Sequence, residues 1–166
     1  MTFADLPAGA VVFVDANTLT YHFQPHPVFG PACRQLLQRI EQQQVTGFTS
    51  THVLSEVAHR LMTLEANALF GWPFANIGNR LRTHPAQVRR LSDFRQAIDT
   101  VLQSKLRVLV PPPDLVGAGA ALCQQVGLLT NDGLIVAVMQ ANGLTNLASN
   151  DGDFDRVPGL TRYAPV

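Results

Sequence analysis

Residues 10 to 17 read "AVVFVDAN". The first five are apolar and rich in valine, and Gly9 and Asn17 bound the stretch. A short unbroken apolar run of this kind predicts a strand buried on both faces, over residues 10–14. A carboxylate, Asp15, follows it directly. What the rest of the chain brings to that strand end decides both fold and chemistry.

Moving outward, the punctuation alternates between helix and strand. "GPACRQLLQRIEQQQVTG" has Pro31 suited to a first helical turn and Gly47 suited to an exit, with Ala32, Leu36, Leu37 and Ile40 on one face. "GFTST" predicts a short strand, and "HVLSEVAHRLMTLEANAL" a helix with Val53, Val57, Leu61 and Met62 along one stripe. Residues 71–85 contain Gly71, Pro73, Gly78 and Pro85 and read as irregular. A single helix is expected from Ala86 to Gln103, then a strand "LRVLV" stopped by "PPP". Asp114 is placed to cap the helix "LVGAGAALCQQVG", and "NDGLIVAVMQANG" forms the next. "TNLAS" and "TRYAP" read as final strands. This alternation predicts the α/β class: a central, mainly parallel sheet between two helical layers.

The chain of 166 residues has the size of one domain, expected to span 1–166. Apolar residues make up 46%, enough for a real core, so disorder is not expected. The N-terminus lacks a basic region and carries Asp5, unlike a signal peptide. No apolar run reaches bilayer-spanning length, so a cytoplasmic protein without a membrane partner is expected. Cys33 and Cys123 lack metal spacing and read as reduced core thiols. Net charge is zero but unevenly spread: residues 80–107 hold seven cations against two acids, so the remainder carries −5. That asymmetry points to an acidic site and a basic surface, or to an ordinary solvated helix face.

Ligands of parallel sheets bind at the carboxyl ends of strands. Asp15 follows the first strand, Glu56 opens the helix after the second, Asp132 starts a helix after "LLTN", and Asp151 follows "TNLAS". Taken singly, each has a plain role: a turn former, an i,i+4 partner for Arg60, an N-cap in competition with Asn131, a turn cap. Taken together they converge on one sheet edge. At ~4 Å and an effective dielectric near 20 each like-charged pair costs about 4 kcal/mol. A hard divalent cation, Mg²⁺ or Mn²⁺, relieves that repulsion and suits oxygen ligands.

Rival motifs fail on spacing. In "ASNDGDFDRV" Asp151, Asp153 and Asp155 alternate as in a calcium loop, but Arg156 and Arg162 stand where the loop needs Gly and Glu. His52, Glu56 and His59 lack the zinc-protease spacing, and no phosphate loop, nucleophile elbow or dinucleotide fingerprint occurs. A haloacid-type phosphatase needs an acid where Asn17 stands.

"VVFVDANTL", "STHVLSEVAHRLM", "LLTNDGLIVAVMQANG" and "NLASNDGDFDRV" together resemble the four motifs of PIN-domain ribonucleases, including VapC-type toxins. The resemblance spans nearly the whole chain, in family order. It implies a three-layer sandwich and Mg²⁺- or Mn²⁺-dependent RNA cleavage. Carried over by position, Asp15, Glu56, Asp132 and Asp151 match the acidic quartet, Asp153 an additional acid, and Asn17 and Ser149 the small polar residues that support the ligands. It also implies an antitoxin partner and a homodimer. The segment 65–85 is longer than in the smallest toxins.

The chain is therefore expected to be an endoribonuclease, with Arg80, Arg82, Arg89 and Arg90 as candidate phosphate contacts. A non-catalytic RNA- or protein-binding module of the same fold is the alternative. Phe70, Trp72 and Phe74 hint at an interface or pack in the chain's own core. Asp155, beside Arg156, reads as a surface turn residue whose replacement leaves activity intact.

Overall fold

The computed structural model describes residues 1–24 and 26–166. Its strands are β1 (Val11–Val14), β2 (Thr46–Ser50), β3 (Arg107–Leu109), β4 (Asn146–Ala148) and β5 (Thr161–Tyr163). They form one sheet in the order β3-β2-β1-β4-β5, every neighbouring pair parallel. β1 lies at the centre, and Val12, Phe13 and Val14 are fully buried, as its apolar run requires.

The helices are α1 (Ala16–Phe23), α2 (Gly30–Glu41), α3 (Thr51–Phe70), α4 (Ile77–Thr83), α5 (Pro85–Val88), α6 (Asp93–Gln103), α7 (Pro113–Val126) and α8 (Thr130–Ala141). They cover the sheet on both sides, giving the three-layer α/β/α architecture. The path from β1 through β2 to β3 moves one way across the sheet, and the crossover to β4 moves the other way. Right-handed crossovers in opposite directions put their helices on opposite faces. The α7–α8 pair covers one face, packed through glycines at 119 and 133. Among the described residues no single helix is long and apolar enough to cross a membrane; α7 and α8 together have the composition but bend by 113°.

Three local expectations are corrected, and one segment is assigned anew. Residues 16–23, for which the sequence carries no assignment, are helical, because Asp15 caps them and Leu19 reaches the core. Of the corrections, first, Gly47 lies inside β2 rather than ending a helix: a Cβ there would meet Ile40 and Leu106 at 2.6 and 2.7 Å. The turn out of α2 uses Gln43 at φ 58 instead. Second, the "irregular" segment contains α4, and the helix expected over 86–103 is broken at 89–92. The cause is Glu65: its buried carboxylate accepts the Ser92 N–H at 2.9 and 3.1 Å and the Asp93 N–H at 3.1 Å, so α6 starts there. Third, Asp114 sits inside the first turn of α7, which Pro112 precedes as N-cap.

The core has two parts. The main cluster lies between sheet and helices. A satellite formed by Ala66, Ile77, Leu81 and Leu91, with Phe70 and Trp72 against it, supports α4 and α5. Phe70 and Trp72 thus pack within the chain, while Phe74 is exposed. Both cysteines are free, Cys33 buried and Cys123 half-buried.

Candidate active site

β1 and β4 are neighbours in the sheet, and from them the chain departs in opposite directions. Such a switch leaves a crevice at the strands' carboxyl ends. Asp15 leaves β1 into it. Its backbone is extended, its Oδ1 accepts the Ala16 N–H at 2.6 Å, and it caps α1. Ser149 leaves β4 beside it and donates its hydroxyl to Asp15 Oδ2 at 2.7 Å. Asn17, in the first turn of α1, donates Nδ2 to the same carboxylate oxygen at 2.6 Å and to Ser149 Oγ at 3.0 Å. The carboxylate is 6% exposed, so these donors hold it in one orientation.

The other acids come from separate elements. Glu56, in the second turn of α3, accepts Arg60 Nε at 2.8 Å and Asn131 Nδ2 at 3.1 Å. Asp132 stands in the first turn of α8; neither it nor Asn131 is the cap, which is Leu129. Asp151 caps a short 3-10 segment, Gly152–Arg156, through the Asp153 N–H at 2.9 Å. Its own N–H donates to Ser149 Oγ at 3.0 Å. Asp153 pairs with Arg156, while Asp155 pairs with Arg162, not with its neighbour.

Electrostatics join these acids. Burial pushes the Asp15 carboxyl up to about 6, against the hydrogen bonds from Ser149 and Ala16 and aided by the charges of Glu56 and Asp132. Asp132 is also pushed up to about 6, first by desolvation, then by Asp151, Glu56 and Asp153. Burial is the larger cause at both positions, and the neighbouring carboxylates add to it. The edge is open; a groove of about 500 Å³ between α1, α2 and α6, lined by His22, Arg34, Leu37 and Val101, contains none of the four acids.

Residues 12–160 match the family model of the PIN domain. The chain belongs to the PIN domain family. It is 26% identical over 155 residues to Ribonuclease VapC2 of Methanocaldococcus jannaschii, covering 90% of each protein. Its fold is similar to a chain in the Rickettsia felis VapBC2 structure, solved with a DNA fragment from its promoter (TM-score 0.58, 17% identity, 93% of this chain and 98% of that one). It is also similar to Mycobacterium tuberculosis VapC20, described as a sarcin-ricin loop cleaving toxin (TM-score 0.61, 19% identity, 87% of this chain and 92% of that one).

The donor set of this PIN domain is all carboxylate oxygen, the chemistry of a hard divalent cation. As the side chains stand, no three acidic, histidine or cysteine groups among the described residues converge to hold an ion. Two of the acids are engaged elsewhere: Glu56 pairs with Arg60 and Asp153 with Arg156. Exposed pairs of this type contribute roughly 0–1 kcal/mol. In donor type the residues fit such an ion.

Three polar residues of the PIN edge escape sequence reasoning. Asn131 joins α8 to α3 through Glu56. Thr18 is buried and donates to the Ala148 carbonyl at 3.0 Å, tying α1 to β4. His52 is half-buried with Nδ1 2.8 Å from Ser50 Oγ. Only a fold that sets positions 18 and 148 side by side reveals such roles. Arg80, Arg82, Arg89 and Arg90 are exposed around the satellite cluster, Arg90 over the Phe70 ring at 5.0 Å. Among the described residues none of the four pairs with an acid of the site.

Proposed function

We propose that this chain is a divalent-metal-dependent endoribonuclease, acting as one domain over 1–166. The observation that carries the reading is the buried Asp15 carboxylate, held by Ser149 and Asn17 and pushed up first by burial and then by Glu56 and Asp132. Family membership and the VapC2 ribonuclease relative support it. Asp15, Asp132 and Asp151 would hold Mg²⁺ or Mn²⁺, with Glu56 and Asp153 completing the shell. The ion would supply the charge that activates water for in-line attack on an RNA phosphodiester and steadies the leaving oxygen.

The chain's own residues do the positioning. Ser149 and Asn17 direct both their hydrogen bonds to Oδ2 of Asp15, and the Ala16 N–H holds Oδ1. Asn131 restrains Glu56 at the neighbouring helix start. The arginines of α4 and the segment after α5 would bind RNA phosphates.

The VapBC2 and VapC20 neighbours support a further reading, that the chain is the toxin of a toxin–antitoxin pair. A small antitoxin would then cover the acidic edge and could place an arginine among its carboxylates. A homodimer and a cytoplasmic location belong to the same reading.

The test is incubation of purified protein with structured RNAs and Mn²⁺ or Mg²⁺. Cleavage is expected, inhibited by EDTA and abolished by Asp15→Asn and by Asp132→Asn, with circular dichroism unchanged. Wild-type cleavage by both variants overturns the site. Absence of both metal binding and cutting leaves a PIN-fold RNA- or protein-binding module.

A further inference from the structure

The peptide between Ser149 and Asn150 is gripped at both poles. Its carbonyl accepts Arg162 Nη1 at 3.2 Å. Its N–H, on Asn150, donates to Asn17 Oδ1 at 3.0 Å. The next residue is Asp151, whose N–H returns to Ser149 Oγ. A peptide unit is planar and stiff. Fixing both its poles fixes its plane, and with it the direction in which the chain enters Asp151.

Asn17 belongs to the site already described, whereas Arg162 lies on the edge strand β5. A long cation on an edge strand ordinarily reaches into water, yet this side chain is only 18% exposed. Asp155 holds it there. Arg162 Nε donates to Asp155 Oδ1 and Nη2 to Oδ2, both at 2.8 Å, a two-pronged fork that leaves Nη1 for the Ser149 carbonyl. The bond from Arg162 pulls the Asp155 carboxyl below its usual range, and the same bond raises Arg162. Asp151 adds to the Arg162 shift, so the guanidinium is within electrostatic reach of that acid. As a stability device an ion pair whose carboxylate is 59% exposed contributes little. What sets this pair apart is where its third hydrogen bond goes.

We propose that Arg162, clamped by Asp155, is a positioning residue for the acidic edge: it holds the 149–150 peptide so that Ser149 reaches Asp15 and the chain enters Asp151 in a fixed direction, and so sets the affinity of the edge for a divalent cation. This rests on the cation reading given above. It replaces the expectation that Asp155→Ala is silent. Neither residue touches the ion or the RNA; both act through one carbonyl.

The experiment uses the full chain with Arg162→Met, Arg162→Lys and Asp155→Ala. Two quantities are measured: Mn²⁺ affinity by titration calorimetry, and hydrogen exchange of the Asn150 amide by NMR. Loss of an outer partner of a metal site costs about 10- to 100-fold in affinity. Arg162→Met is expected to weaken Mn²⁺ binding about 10-fold and to speed Asn150 exchange by a similar factor. Asp155→Ala shifts both in the same direction, and serves alone if Arg162→Met does not fold. Arg162→Lys keeps the charge without the fork and stays close to Arg162→Met. Full recovery by lysine would make the effect one of charge at a distance and overturn positioning. Wild-type affinity and wild-type Asn150 protection in Arg162→Met and Asp155→Ala would also overturn it. If the wild type binds no Mn²⁺, the cation reading falls separately, and unchanged Asn150 exchange in the variants then removes the positioning role as well.

Discussion

Gly133 and Gly119 meet backbone to backbone: a Cβ on Gly133 would lie 2.5 Å from the Gly119 carbonyl oxygen and 2.5 Å from Cys123 Sγ. Gly133 follows Asp132, so the close approach of α7 and α8 fixes the height at which that acid stands. Gly133→Ala must push α8 away, because a helix carbonyl cannot step aside. A loss of roughly 1–3 kcal/mol is expected in urea unfolding, with RNA cleavage falling alongside. Gly78→Ala in α4 is the control: nothing lies within 4 Å of its Cβ. It should gain about 0.5 kcal/mol or change nothing.

Asp132→Asn should separate stability from activity. The native Asp132 and Asp15 carboxyls are both pushed up to about 6, from 3.8. Between those values the folded chain binds more protons than the unfolded one, so their contribution to stability falls as pH rises through the window. His22 and His52, pulled down by burial, slope the other way. The acids are therefore read as a difference between proteins. In EDTA, wild type and Asp132→Asn should be alike near pH 4 and diverge toward pH 7, the variant ending about 1 kcal/mol more stable after allowance for its half-burial. A gap that closes as pH rises contradicts the assignment. Mn²⁺ at pH 7 should stabilise the wild type and not the variant.

Glu65 is a buried acid with a different purpose. Its carboxylate takes the Ser92 and Asp93 amides, substituting for the cap that Ser92 does not supply. Glu65→Ala leaves both N–H groups unpaired in a half-buried place and should cost about 2 kcal/mol. Glu65→Gln keeps an acceptor and should cost about half as much. Mn²⁺ affinity should be unchanged in both, which distinguishes this acid from the four at the sheet edge.

The arginines of the satellite segment are tested by salt. If Arg80 and Arg82 contact phosphates, the double alanine variant should lower the slope of log affinity against log salt by about 1.4, at ~0.7 per contact for a single strand. An unchanged slope would assign them to solvation alone.

The sheet was legible because β1 and the runs near it are short, apolar and bounded by turn residues. The order of the strands was not, since no local signal says that β4 sits beside β1. Asp15, Asp132 and Asp151 stood out because each begins or follows an element, and Glu56 because it lies in the opening turns of a helix. Thr18 and Arg162 did not, because their partners, Ala148 and Ser149, lie far away in sequence. The break before α6 was hidden for the same reason. Residues 86–103 have helical periodicity throughout, and the interruption is imposed by Glu65, 27 positions upstream of Ser92. Asp155 is exposed in a short 3-10 turn, as its sequence suggests, but the cation it pairs with is Arg162 rather than its neighbour Arg156.

The hydrogen bond from Ser149 to Asp15 closes a loop of 134 residues. Contacts so distant in sequence form only after the intervening chain has been made and folded. A nascent chain that has completed β1, β2 and β3 still lacks the support of its first acid. No fragment ending before Ser149 carries the edge, so proteolytic pieces and interrupted translation products should be inert. If the chain cuts RNA as proposed, this arrangement keeps the edge incomplete beside the ribosome until Ser149 has been made.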